Sequence, residues 1–385
     1  MVSGFTKTQL RNFTLATASN FFFFCNFSSF FLLPLYIKSL GGDEAQIGYI
    51  MGSFGITSLG AIPFVVFFVD KYGRRRFMLL GYAVMFLASL SYTLISGLSP
   101  FIYALRLIQG ISFAFSFTAA GTFVADYVPP ARRAEGLGIF SAFTIASYAI
   151  GPSLGEFVIE LFGFHSFFLY TSFFSLIAVV LTVFMRDGQF EHSSDPYGFG
   201  FFRLISSRKY SLLLISNLIL AGGLGAVLNF IAAFFRSKEL HAYYFFLTYT
   251  VTVTAVRIFG GRISDTWGRK IIASPGLLVV SLSLASMYFV DSAFTAVLIS
   301  FIFSFGYGFL YPTLSALVID KAGPDERGKA MGAFNASYSM GINFLAFPFG
   351  VIARDYGYEG MYLVAGCAVF LGFLLFTSLE SDRVS

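Results

Sequence analysis

The sequence of 385 residues is poor in charged residues, cysteine and histidine. Charged side chains make up only 12% of it, Cys occurs twice and His three times. In contrast, 57% of the residues are hydrophobic, 53 are Phe, and the mean hydropathy is +0.77. A soluble protein is about 45–50% apolar, so a water-soluble fold of this chain would expose much apolar surface. The composition therefore predicts an integral membrane protein.

The few Cys and His residues argue against a disulfide framework and against a metal site. Cys25 and Cys367 fall inside predicted membrane spans, and we interpret both as small core residues. His165, His192 and His241 are separated in sequence, fall in predicted loops, and lack the spacing that presents two metal ligands on one helix face. No carboxylate pair or nucleophile constellation indicates catalysis. We expect no enzyme activity, no metal and no cofactor.

The apolar blocks predict an all-α membrane protein with twelve transmembrane helices. A spanning helix needs about 20 mostly apolar residues, and continuous apolar runs suit helices, whose backbone groups are satisfied internally. The predicted spans are residues 13–37, 46–69, 77–97, 101–125, 136–160, 166–185, 210–235, 242–263, 271–290, 293–319, 330–353 and 360–379.

The distribution of positive charge predicts the orientation of these spans. Lys7 and Arg11 precede an apolar block that is too long for a signal-peptide core, so the first span is expected to be retained. Most of the 25 Lys and Arg residues then fall on one side of the membrane, which the positive-inside rule assigns to the cytoplasm. We expect both termini in the cytoplasm and a location in the cell (inner, cytoplasmic) membrane. The net charge of +5 is no indication of nucleic-acid binding.

The chain has the organisation of a duplicated six-helix unit. Its least apolar internal stretch, residues 186–209, is the predicted cytoplasmic linker between an N-terminal bundle, residues 1–185, and a C-terminal bundle, residues 210–385. Ser19-Asn20, Asp70 and Asp126 in the first half correspond to Ser216-Asn217, Asp265 and Asp320 in the second, at nearly equal offsets of 197, 195 and 194 residues along the chain. Such parallel repeats place a binding site near the bilayer midplane and permit alternating access.

A charged motif occurs once in each half at the end of an apolar span. It reads Asp70-Lys-Tyr-Gly-Arg-Arg75 in the first half and Gly261-Arg-Ile-Ser-Asp-Thr-Trp-Gly-Arg-Lys270 in the second. Arg106-Leu-Ile-Gln-Gly110 and Gly151-Pro-Ser-Leu-Gly155 are two further motifs of the first half. Together these motifs resemble those of the major facilitator superfamily, and the resemblance covers essentially the whole chain. The element at Gly151 resembles one that the family associates with exporters and antiporters.

The resemblance implies that the charged motifs form a conformational latch. Its residues would be Asp70, Arg74, Arg75, Asp265 and Arg269, joining the two halves on the cytoplasmic side in the outward-open state. The two aspartates can accept hydrogen bonds from neighbouring Arg side chains or from N–H groups at a helix N-terminus. The alternative is that the arginines only determine topology.

Ionisable residues inside predicted spans are the main candidates for coupling. Charge within a membrane span is costly and marks functional sites, and Arg106, Glu156 and Arg257 are such residues. The topology places Arg106 and Glu156 at one depth on adjacent helices, so we predict that they pair and that Glu156 takes up a proton when they separate. A fixed structural ion pair is the alternative.

Further polar side chains are predicted to line a central cavity with these residues. Each alone is better explained by interhelical hydrogen bonding, worth about 0.6–2 kcal/mol. The predicted substrate-binding set is Asn26, Arg106, Glu156, Asn217, Asn229, Tyr307, Tyr311, Asn335 and Tyr338.

These features predict a secondary active transporter that works by alternating access. We expect it to export a small amphiphilic solute in exchange for protons, as a monomer in the lipid bilayer. An importer or facilitator of a sugar, organic anion or other metabolite is the first alternative, with Arg106 and Arg257 as counter-charges. A non-transporting membrane receptor is the second. A flux assay separates these classes.

Overall fold

The computed structural model of the chain describes residues 5–129, 132–186, 208–322 and 326–378. These residues form helices and the turns between them, without a β-strand among them. The side chains of Asp70 and Asp265 and most of the predicted linker 186–209 lie outside the described part of the chain.

The helices follow one another with short connections. Short 3-10 segments join α1 to α2 and follow α4 and α9. In chain order the helices are α1 Lys7–Ser29, α2 Leu33–Ser39, α3 Glu44–Tyr72, α4 Arg74–Ser91, α5 Pro100–Tyr127, α6 Arg133–Val183, α7 Arg208–Ser237, α8 Tyr243–Trp267, α9 Arg269–Ser286, α10 Ala293–Lys321, α11 Arg327–Phe344 and α12 Ala346–Ser378.

Local sequence explains several helix starts. Thr6 caps α1, because its side chain accepts from the Gln9 N–H at 3.2 Å while Gln9 Oε1 accepts from the Thr6 N–H at 3.0 Å. Ser292 and Thr295 form the same reciprocal cap at the start of α10. Pro100 occupies the first turn of α5, where its missing N–H costs no helical hydrogen bond.

Four glycines with positive φ break the helices at matching places in the two halves. Gly73 (φ 97°) separates α3 from α4, and Gly268 (φ 98°) separates α8 from α9. Gly163 (φ 78°) breaks α6, and Gly357 (φ 76°) breaks α12. Other L-residues adopt this region only at a cost, so glycine permits the sharp turn. The correspondence of the four breaks agrees with the internal repeat predicted from the sequence.

Eight stretches of the described residues are long and apolar enough to cross a membrane. Two of them, Glu135–Val183 and Lys329–Ser378, are 49 and 50 residues long, and each contains one of the glycine breaks. A single membrane-spanning helix needs only about 20 residues, so each of these stretches is long enough for two spans. The all-helical architecture agrees with the prediction, and the number twelve stays a prediction.

Contacts divide the chain into two compact units. The first lies within Met1–Tyr36 and Ile56–Pro196, and the second within Ile37–Gly55 and Tyr197–Ser385. This division assigns Ile37–Gly55 differently from the predicted domains, which stay a prediction.

Each unit has its own aromatic core. In the first, the rings of Phe23 and Tyr82 are buried with centroids 4.9 Å apart. In the second, the buried rings of Phe234 and Tyr362 are 5.2 Å apart. The start of α3 packs in the second unit, where a Cβ at Gly48 would lie 2.4 Å from the Ala346 carbonyl oxygen. Aromatic packing and close glycine contacts hold the helices together.

Two minor sequence expectations were wrong. Cys25 is buried as expected, but Cys367 is exposed on α12. His241 lies between α7 and α8, whereas His165 lies inside α6 and not in a loop. His192 is outside the described residues. Cys367 was misplaced because an apolar face can also be presented to lipid, and hydropathy does not separate that face from the core.

Candidate functional site

Arg106 is buried in the first unit on the second turn of α5. Only 4% of it is exposed, and its Nη1 donates to Gln109 Oε1 at 3.1 Å. The same oxygen accepts from the hydroxyl of Tyr92 at 3.4 Å. The guanidinium is therefore part of a buried polar network. Such burial of a permanent charge is costly and is typical of functional positions in membrane proteins.

Glu156 is also buried in the first unit, with 2% of it exposed. It follows the Gly151-Pro152 element of α6, where a Cβ at Gly151 would lie 2.4 Å from Ser28 Oγ and 2.5 Å from the Cys25 carbonyl oxygen. The missing side chain of Gly151 thus allows α6 to approach α1. The structure places Glu156 and Arg106 inside the same unit, and their pairing stays a prediction.

Four predicted binding residues meet in the second unit, on α10 and α11. The hydroxyl groups of Tyr307 and Tyr338 are hydrogen-bonded to each other. The hydroxyl of Tyr311 donates to Asn335 Oδ1 at 3.2 Å, and the rings of Tyr311 and Tyr338 are in edge contact at 5.1 Å. Tyr307 is buried, Tyr311 and Tyr338 are half-buried, and Asn335 is exposed. The cluster therefore presents a polar, aromatic face that a solute can reach.

Arg257 on α8 contacts this cluster. Its guanidinium carbon lies 6.0 Å from the ring centroid of Tyr311, within the range of a cation–π contact. Arg257 was predicted as a charge inside a span and as a counter-charge in the importer alternative, but not as part of the binding set. Only the folded structure shows that Arg257 on α8 lies beside Tyr311 on α10.

Three of the four predicted asparagines, Asn26, Asn217 and Asn229, form hydrogen bonds between helices. Asn26 Nδ2 donates to Ser89 Oγ at 2.8 Å and to the Thr171 carbonyl at 2.7 Å. Asn217 Nδ2 donates to Ser337 Oγ at 2.8 Å, and Asn229 Nδ2 donates to the Ile342 carbonyl at 3.0 Å. All three side chains are buried, which favours the interhelical role over substrate contact.

The turns after Gly73 and Gly268 carry equivalent ion pairs. Arg74 pairs with Asp126 in the first unit, and Arg269 pairs with Asp320 in the second. The sequence aligned the two aspartates as repeat positions, but only the folded structure identifies them as the partners of these arginines. Each pair ties the helix that begins after the glycine to the end of another helix of its own unit.

Arg75 anchors the end of α6 in the first unit. Its Nε donates to the Thr182 carbonyl at 3.1 Å, and its Nη2 donates to the Val183 carbonyl at 2.7 Å. A cation at a helix C-terminus satisfies carbonyl groups that lack helical partners. The predicted latch residues therefore include one helix anchor, and their joint role as a latch stays a prediction.

Comparison with known proteins places this architecture in a family. The sequence model of the Major Facilitator Superfamily matches residues 15–241 and 213–384. The chain is 26% identical over 357 residues to "Multidrug resistance protein 2" of Bacillus subtilis (strain 168), covering 89% of this chain and 88% of that protein. It is 24% identical over 358 residues to "Multi-drug resistance efflux pump PmrA" of Streptococcus pneumoniae serotype 4, covering 88% of each.

Solved structures show the same fold. The crystal structure of nucleoside transporter NupG superposes with a TM-score of 0.82 at 16% identity, covering 97% of this chain and 99% of that chain. At this identity the similarity concerns the fold alone.

The chain belongs to the Major Facilitator Superfamily. It is a multi-pass membrane transporter of small molecules and not an enzyme, as the sequence predicted.

Proposed function

We propose that the protein exports small amphiphilic molecules across the cytoplasmic membrane in exchange for protons. The main support is the similarity over most of the chain to proteins described as multidrug resistance transporters. The Gly151-Pro152 element and the buried Glu156 agree with an antiporter. The charge distribution of the sequence places both termini in the cytoplasm. The working unit is a monomer, and nucleic acid has no part in the activity.

The coupling residue in this proposal is Glu156. A carboxyl group can become neutral by taking up one proton, whereas a guanidinium stays charged at any physiological pH. Burial favours the neutral form of the carboxyl group, and the nearby positive charge of Arg106 would favour the ionised form. A change in the distance between Glu156 and Arg106 then changes how often Glu156 carries a proton. The alternating movement of two six-helix bundles, residues 1–185 and 210–385 with linker 186–209, supplies that change.

Flux measurements test export and coupling together. Purified protein is reconstituted into proteoliposomes, and accumulation of the aromatic cation ethidium is followed with an imposed pH gradient of either sign. We expect ethidium to move in the direction opposite to the downhill flow of protons. This transport should stop when a protonophore collapses the gradient. Transport that is indifferent to the gradient would support the alternative, a facilitator of a sugar, organic anion or other metabolite, and would contradict proton-coupled export.

A further inference from the structure

Arg257 is a partly buried cation without an ion pair among the described residues of its unit. Two described carboxylates of the same unit pair with other cations, Asp320 with Arg269 and Glu359 with Lys238. The Nε of Arg257 is buried and has no hydrogen-bond partner in the described part of the chain. A partly buried guanidinium without an anion is unfavourable. Binding of an anion next to it would therefore be favourable.

Close helix packing holds Arg257 at the tyrosine cluster. A Cβ at Gly308 of α10 would lie 2.9 Å from Val256 Cγ1, and a Cβ at Gly260 of α8 would lie 2.4 Å from the ring of Phe309. These glycines on both sides of Arg257 allow α8 and α10 to approach each other. The packing of two helices therefore keeps the guanidinium near Tyr311, and no carboxylate of the described residues pairs with it.

The groups of the cluster that can still form hydrogen bonds with a ligand are donors. The Oδ1 of Asn335 already accepts from the Tyr311 hydroxyl, whereas its Nδ2 makes no hydrogen bond with a described residue and the side chain is exposed. An amide nitrogen and a guanidinium are donors only. The ligand that satisfies both carries an acceptor, and a negative charge would also compensate Arg257.

Two further aromatic rings pack against Tyr311. The rings of Tyr338 and Phe334 lie 5.1 and 5.5 Å from that of Tyr311. Aromatic side chains bind flat apolar groups through area and ring geometry. The cluster thus combines a cationic and amide donor pair with an apolar aromatic wall.

We propose that Arg257, Tyr311 and Asn335 form a subsite for the carboxylate of an aromatic substrate. This inference rests on the transport function proposed above and names a substrate class for it. The guanidinium and the Asn335 amide donate to the carboxylate, and the aromatic part of the substrate packs against the half-buried rings of Tyr311 and Tyr338, with the buried ring of Phe334 supporting Tyr311. Permanent cations such as ethidium would not use Arg257.

A binding assay with the purified protein tests the subsite without requiring transport. Calorimetric titration compares 2-naphthoate with methyl 2-naphthoate, which keeps the ring and loses the charge. Arg257→Gln should weaken binding of the acid by about tenfold, as expected for a charge-assisted contact, and change binding of the ester by less than about twofold. Arg354→Gln, which removes an exposed arginine that pairs with Asp355, is the matched control and should change neither.

Arg257→Lys guards against misfolding of the glutamine variant. It keeps the charge and loses the planar donor fork, so the preference for acid over ester should persist at lower affinity. The subsite is refuted if the wild type does not bind the acid, if it binds acid and ester equally, or if Arg257→Gln weakens both by one factor. Loss of 2-naphthoate binding refutes the subsite, whereas ethidium flux that is indifferent to the pH gradient refutes proton-coupled export, so the two failures are distinguishable.

Discussion

At the scale of single residues, the buried ionisable groups differ in what they can do. Arg106 stays charged and is bonded to Gln109, whereas Glu156 can be neutralised by one proton. Both are almost fully buried in the first unit, where a change of charge has a large energetic effect. Of these two, only Glu156 has the chemistry of a proton carrier.

Glu156→Gln should therefore separate coupling from transport. The amide keeps the shape of the side chain but cannot exchange a proton in the physiological range. We expect proton-driven flux to be lost while exchange of labelled substrate for unlabelled substrate is retained. Glu135→Gln, the same change at an exposed position in the first turn of α6, is the control and should keep both activities. If Glu156→Gln keeps driven flux, the coupling role is rejected.

At the scale of helices, close contact between α1 and α6 depends on a missing side chain. The Cβ of alanine at position 151 would overlap the Cys25 carbonyl oxygen and Ser28 Oγ. A backbone oxygen cannot move aside without displacing its helix, so the cost of overpacking is not easily relieved. The Gly151-Pro152 motif is thus a packing element whatever its role in direction of transport.

Gly151→Ala should destabilise the protein by about 1–3 kcal/mol. Gly138→Ala is a matched control in the same helix, because a Cβ there meets nothing within 4 Å. The control should be neutral or slightly stabilising, since alanine favours helix over glycine. Thermal unfolding of the purified variants measures the difference. Equal melting temperatures would show that α1 and α6 are not held by this contact.

At the scale of the whole molecule, the two halves repeat their turns and ion pairs. Gly73 and Gly268 have nearly the same φ, and an arginine follows each of them and pairs with an aspartate of its own unit. In transporters built from repeats, alternating access is largely a rigid-body movement of one repeat against the other. Asp70 and Asp265 lie just before these turns, as the latch prediction requires.

Asp70→Asn should lower transport and leave ligand binding and membrane insertion largely intact. The amide removes a charge from the latch and not from the binding face, so the conformational equilibrium changes and the site does not. Flux and ligand affinity are compared at equal expression. Asp265→Asn is the matched variant and should have the milder effect. Unchanged flux in Asp70→Asn would exclude the latch role, and equal losses would contradict the ranking of the two copies.

The sequence by itself determined the class of protein. Apolar blocks of the length of a bilayer, the doubled charged motif and the element at Gly151 depend on local composition and spacing, which folding does not alter. The burial of Arg106 and Glu156 was also predictable, because a charged side chain within an apolar span is costly when it faces lipid.

The tertiary structure alone decided which side chains meet. Arg74 with Asp126, Arg269 with Asp320 and Arg257 with Tyr311 are contacts between residues of different helices, each more than 50 positions apart along the chain. Hydropathy gives the length of a membrane helix but not its rotation, because lipid and the helix interior are both apolar. Rotation is determined by close contacts such as that of Gly308 with Val256, and it places Arg257 at the tyrosine cluster.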